Sequence, residues 1–194
     1  MGGREMEETN SRNVIFAQYQ RIETKRLILR PVTLQDAQDM YEYAKDEETT
    51  HFVFPMHQSI TDTKNNIANY FMATPLGKYG IELKDTHQLI GTIDLRVQES
   101  QDNAEIGYTL NKKYWGKGII AEACQALLKL GFEELNLIRI YAYHDVENPN
   151  SGRVMEKIGM KKEGVIPYAR RSKGKVVTLV LRGITQKEWL AQKE

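Results

Sequence analysis

The run from Asn111 to Phe132, NKKYWGKGIIAEACQALLKLGF, constrains this chain most: it passes from a polar, basic loop into an amphipathic segment. Ile119, Ala123, Ala126, Leu127 and Leu130 recur at helical spacing, with Ala121, Leu128 and Phe132 beside them, so a helix is expected to begin close to Gly118. The first N–H groups of such a helix have no intrahelical partner and carry the positive end of its dipole. Gly116 and Gly118 lack a Cβ, so a ligand can approach that backbone, and Lys117 between them adds a full charge. A loop built this way suits a phosphate or pyrophosphate. The letters GKGIIA, Gly116 to Ala121, also fit the dinucleotide pattern G-x-G-x-x-G/A, and an ordinary glycine turn before a core helix explains them too. A Walker phosphate loop is excluded, because no Ser or Thr follows a Gly-Lys pair there.

At 194 residues the chain holds one main domain, read here as residues 21–194 behind an N-terminal arm, residues 1–20, that is disordered in part. The net charge of +1 implies no strongly charged partner. Arg170, Arg171, Lys173 and Lys175 form a basic turn, read as a solvated hairpin tip and not as a nucleic-acid site. The single cysteine, Cys124, rules out an intramolecular disulfide and falls inside the amphipathic helix as a core or boundary residue. No apolar run approaches a membrane span, and MGGREMEETN lacks a signal-peptide core, so no membrane partner and a cytoplasmic location are expected. His51 and His57 lie on a loop at a spacing that makes no metal site, and no metal is expected.

In chain order, Arg26 to Arg30 reads as a strand, and Thr33 with Asp36 as a capping-box variant opening a helix to about Lys45. Glu47 to Ser59 is expected to be irregular, and Thr61 to Thr74 helical. Tyr79–Leu83, Gln88–Val97 and Ala104–Leu110 follow as an antiparallel meander. After the glycine loop and its helix come a strand (Leu137–Tyr143), a short helix (Asn148–Ile158, with Gly159 behind it), two strands (Lys162–Pro167, Val176–Leu181) and a last helix (Thr185–Gln192). The expected fold is α/β, with a mixed sheet flanked by helices.

Four stretches together resemble the GNAT superfamily of acyl-CoA-dependent N-acetyltransferases: RIETKRLILRPVTLQDAQDMY, AEIGYTL with NKKYWGKGIIAEA, NPNSGRVMEKIGMKKEG, and VVTLVLRGITQKEW. The resemblance runs from about Ile22 to Trp189 and looks closest to the branch with ribosomal-protein-alanine and spermidine N-acetyltransferases. It implies a GNAT-like, mostly antiparallel central sheet, acetyl-CoA as co-substrate, and direct transfer to a primary amine, either a protein N-terminus or a small amine. A homodimer is compatible with it.

Residue by residue, the resemblance implies that Trp115, Gly116, Lys117, Gly118, Ile119, Ile120 and Ala121 hold the pyrophosphate. Ile120 departs from the family's small residue at its place. The backbone of Ile106, Gly107, Tyr108 and Thr109 is implied to pair with the pantetheine arm like an added strand. Asn148 is implied to hold that arm, and Ser151, or a nearby Tyr, to lie by the departing thiolate. Helix capping is the plain alternative for Asn148 and Ser151, and core packing for Tyr108. Glu105, the one acid in its strand, is either a solvated strand residue or the base for the incoming ammonium. A nicotinamide-dependent oxidoreductase fits less well. Five residues, NKKYW, separate the strand from the first glycine, and a meander precedes the motif where a Rossmann domain would begin with it. A non-catalytic acyl-CoA sensor is the other alternative.

Overall fold

The computed structural model describes residues 10–192. Its strands are β1 (Ile22–Glu23), β2 (Leu27–Arg30), β3 (Lys78–Leu83), β4 (Leu89–Gln98), β5 (Asn103–Leu110), β6 (Arg139–Asp145), β7 (Lys161–Ser172) and β8 (Lys175–Thr185). They form one sheet in the order β1-β2-β3-β4-β5-β6-β8-β7. Every neighbouring pair is antiparallel except β5 and β6, which are parallel. The helices are α1 (Arg12–Gln18), α2 (Ala37–Ala44), α3 (Glu47–Thr50), α4 (Ile60–Asn66), α5 (Ile119–Lys129), α6 (Pro149–Lys157) and α7 (Gln186–Ala191). The mixed, mostly antiparallel α/β architecture expected from sequence is the one observed.

Period-two alternation along the strands supplies two apolar clusters. The larger one holds Ile93 and Leu95 of β4, Ala104 and Ile106 of β5, Ile140 of β6, and the buried stripe of α5, including Cys124. The smaller one packs α2 and the wide helical turn at residues 67–72 against Val32 and Leu89. The parallel step from β5 to β6 requires a crossover, and α5 provides it.

Several boundaries differ from the sequence reading. Within the segment read as an N-terminal arm, residues 12–18 form α1, whose N-cap Ser11 accepts from Val14 N–H. Phe16 on α1 is buried in the larger cluster, and Arg12 donates to the Leu135 carbonyl at 3.0 Å. The segment expected to be irregular begins with α3, capped by Asp46, which accepts from Thr49 N–H at 2.8 Å. β7 runs past Pro167, where the sequence suggests a stop. It is an edge strand, so the missing N–H removes no ladder bond, and the register shifts between Ile166 and Arg170.

If α1 is part of the core, Phe16→Ala should destabilise the protein by about 3–5 kcal/mol, the usual cost of emptying a buried aromatic site. Urea unfolding measures it. A cost below about 1 kcal/mol would mean that α1 only rests on the surface.

Candidate active site

The site is organised by the divergence of two strands. β5 and β6 pair through only three positions, Asn103 with Arg139, Ala104 with Ile140, and Glu105 with Tyr141. Beyond them β5 continues to Leu110 and β6 to Asp145, each held on its far side by β4 and β8. Ile106 to Thr109 therefore present one backbone edge to a V-shaped opening. A cavity of about 1580 Å³ fills and surrounds it. That exceeds the roughly 300–1,000 Å³ common for one small ligand, so two reactants fit side by side.

The glycine loop stands at the mouth of the V. Gly116 and Gly118 both have φ +73°, the left-handed region that favours glycine. A Cβ on Gly116 would meet nothing within 4 Å, so that backbone faces open space. α5 starts at Ile119, and its first intrahelical bond is Glu122 N–H to the Gly118 carbonyl. The amides of Ile119, Ile120 and Ala121 are left to face the cavity mouth. The side chains of all three are buried, and Ile120 packs into the core. Trp115 anchors the loop by donating from Nε1 to the Leu110 carbonyl at 2.8 Å. Lys117 lies over the Tyr114 ring, 5.2 Å from its centre.

Two cations at this loop come from distant sequence and went unread. Arg26 Nη2 and Lys157 Nζ lie 3.7 and 3.6 Å from where a Gly118 Cβ would be. Arg26 is fixed there: it donates from Nη1 to the Lys117 carbonyl at 2.9 Å and from Nε to Glu122 at 2.7 Å. Glu122 also accepts from Thr24 Oγ1 and from the Arg26 N–H. Burial pushes the Glu122 carboxyl up, but those hydrogen bonds and the Arg26 charge outweigh it and hold it below its usual range.

On the other arm of the V, the N-terminus of α6 approaches β5. Asn148 caps α6, accepting from Ser151 N–H at 3.4 Å, with Pro149 at the first helical position. Tyr108 of β5 reaches across: its hydroxyl lies 2.9 Å from Ser151 Oγ and 3.2 Å from the Ser151 carbonyl. Tyr108 packs against the core, as expected, and also forms a hydroxyl pair that sequence reading left unassigned. Burial raises its phenol well above the usual range, so it keeps its proton at neutral pH.

Glu105 points to the opposite face. Its Oε1 accepts from Arg96 Nη2 at 2.8 Å, Arg96 Nη1 also pairs with Asp94, and Asp94 accepts from Tyr70 OH at 2.6 Å. Gly107 lies under this network: a Cβ there would meet Arg96 Nη1 and Asp94 Oδ1 at 2.9 Å. Glu105 is thus a charge-paired member of the cavity wall, beyond the bare solvated strand residue considered from sequence. Phe52, Phe54 and Tyr143 line the same cavity. Among the described residues no group of three His, Cys, Asp or Glu could hold a metal, and His57 is bonded to Thr63 instead.

Comparison with known proteins decides the family. A family profile described as "Acetyltransferase (GNAT) domain" matches residues 26–161. This chain belongs to the GNAT acetyltransferase family. The chain is 30% identical over 171 residues to "Uncharacterized N-acetyltransferase p20" of Bacillus licheniformis, covering 86% of this chain and 96% of that one. A solved GNAT-family acetyltransferase of Bacillus anthracis superposes with a TM-score of 0.78 at 30% identity, covering 86% of this chain and 99% of that chain. The "[Ribosomal protein uS5]-alanine N-acetyltransferase" of Escherichia coli is 26% identical over 181 residues, covering 87% of this chain and 92% of that one.

In this GNAT chain the seating of α6 has a steric condition. Gly152 lies directly on His144, and a Cβ would come within 2.8 Å of His144 Nε2. The ring cannot easily move, because its Nδ1 is 2.8 Å from the Asp145 carbonyl and its Nε2 accepts from Arg182 Nε at 3.3 Å. Gly152→Ala should therefore cost about 1–3 kcal/mol of stability, as overpacking does. Gly164, where a Cβ would meet nothing within 4 Å, is the control and should tolerate alanine. Denaturant unfolding compares the two variants, and equal midpoints would show that α6 adjusts freely.

Proposed function

We propose that this GNAT enzyme moves an acetyl group from acetyl-CoA to a primary amine, by direct attack within a ternary complex. The carrying observation is the V between β5 and β6, with an unpaired strand edge on one side and a phosphate-type loop at its mouth. An extended amide chain can pair with such an edge as an added strand. The pyrophosphate fits the amides of Ile119 to Ala121 beside Gly116, Gly118, Lys117, Arg26 and Lys157. Asn148 faces the arm from α6.

Acetyl-CoA, when bound, supplies an activated thioester that an amine attacks without an enzyme nucleophile. The protein's share is to hold two reactants together, which removes most of the entropic barrier. As the amide bond forms and the thioester C–S bond breaks, the leaving thiolate would take its proton or hydrogen bond from the paired hydroxyls of Tyr108 and Ser151 beside the V. On the opposite face, Glu105 is the carboxylate assigned to take the proton of the arriving ammonium, directly or through water. Arg96 fixes its orientation. The acceptor is a protein N-terminal amine or a small amine; the E. coli relative named for a ribosomal-protein alanine supports the first class.

Binding is the first test. A ligand that binds only the folded state stabilises it by about 2.7 kcal/mol at a hundredfold excess over Kd. Acetyl-CoA should raise Tm accordingly and NADH should not. Gly118→Val, which strains the left-handed backbone at the point of approach, should abolish most of that shift while the protein stays folded. The opposite ligand ranking would remove the basis for the proposed co-substrate.

Chemistry is the second. Glu105→Gln should lower kcat by roughly 10²–10⁴-fold with acetyl-CoA affinity unchanged. Raising the pH should partly restore it, because more of the amine then arrives neutral. Tyr108→Phe and Ser151→Ala should lower kcat without that recovery. The profile of kcat against pH for one good amine distinguishes them; wild-type kcat in Glu105→Gln across neutral pH would assign the proton to another group.

A further inference from the structure

The basic turn between β7 and β8 is the exposed hairpin tip expected from sequence, and one of its lysines also makes a long-range contact. Lys173 and Gly174 both have positive φ, +48° and +78°, as a two-residue hairpin turn requires. Lys173 Nζ donates to the carbonyls of Thr50 at 2.9 Å and His51 at 3.0 Å, 123 and 122 residues away in sequence. Those carbonyls lie at the end of α3, and the Thr50 carbonyl also accepts from the N–H groups of Val53 and Phe54. The two segments joined both line the cavity: Arg170 and Leu179 from the hairpin, Phe52 and Phe54 from the loop after α3. Val165, Ile166 and Val176 of the hairpin are exposed, and the lysine bonds tie its tip to the segment after α3.

We propose that Lys173 is a positioning residue for the acceptor amine, closing the hairpin onto residues 50–54 so that the two walls hold the amine beside the V. This rests on the reading that the cavity takes an amine next to acetyl-CoA. Partial desolvation of the ammonium lowers its pKa, with the charge of Glu47 opposing that. The α3 segment is secured from the donor side as well. Lys112, just ahead of the glycine loop, pairs with Asp46 at 2.7 Å and Glu48 at 3.2 Å. The acceptor wall is thus held between the donor loop and the hairpin.

The test pairs hydrogen exchange with kinetics on Lys173→Met, which keeps the length and apolar stem but cannot donate. Lys173→Arg keeps the donors, and Lys175→Met alters an exposed neighbour on the same hairpin. The amides of Val53 and Phe54, which donate to the Thr50 carbonyl, should exchange about tenfold faster in Lys173→Met, while core strands stay unchanged. KM for the amine should rise about tenfold, with kcat within about twofold and acetyl-CoA affinity unaltered. Lys173→Arg should recover most of both effects, and Lys175→Met should show neither. Unchanged exchange in Lys173→Met overturns the clamp. Faster exchange with unchanged KM makes the lysine structural only and overturns the positioning role. A wild-type protein that acetylates no amine overturns the proposed function instead, a result that KM in an active wild type keeps separate.

Discussion

The structure depends on the point where β5 and β6 stop pairing. One parallel contact interrupts an otherwise antiparallel sheet, and it lasts for three residue pairs. Past Glu105 and Tyr141 the two strands are held only from outside, by β4 and β8. A buried backbone group without a partner costs about 1–3 kcal/mol, so such an edge has to be met by water or by a ligand carrying its own amides. The other parts of the site follow from that opening. α5 is the crossover that the parallel step demands, and its unpaired N-terminus falls at the mouth of the V. α6 follows β6 directly and brings Ser151 to Tyr108 across the gap.

The two faces of β5 then take different chemistry from the same alternation. Ile106 and Tyr108 point to the core and to α6, whereas Glu105 and Gly107 point to the acceptor side. On that side the Arg96 pairs with Asp94 and Glu105 occupy the space a Cβ at position 107 would need. Two carboxylates share one guanidinium, and the Lys78 ammonium lies close to the same cluster, over the Tyr70 ring. Gly107 therefore serves both faces: its backbone belongs to the edge of the V, and its missing side chain leaves room for the ion pairs.

What was legible in the sequence is what local pattern encodes. The helix after Gly118, the meander and the capped helix after Asn148 are written in periodicity, glycines and caps over short stretches. The family resemblance rests on those same stretches. Arg26 was not legible as a loop residue, because it lies 91 residues from the carbonyl it binds and reads as the first residue of a strand. Tyr108 was assigned to the core by alternation, which is right for its ring but silent about its hydroxyl. Lys173 reads from sequence as a solvated charge at a hairpin tip, and it is exposed there; only the fold brings its ammonium to the Thr50 carbonyl. Pro167 looked like a strand end because sequence does not reveal which strand lies at an edge.

These differences follow the division of labour in the site. The donor side is built mostly from elements whose geometry is set within about 20 residues of chain, a loop, a helix start and a cap. Its ligand presents the same phosphates and amides whatever the acceptor, so its residues form a recognisable pattern. The side proposed for the acceptor comprises the loop after α3, the β4 ion pairs and the hairpin tip, with contacts between distant residues. Loops of this kind vary while the scaffold that positions them persists. The family match over residues 26–161 carries acetyl transfer, while the choice of amine, in the reading proposed above, falls to contacts such as Lys173 to Thr50 that no local motif specifies.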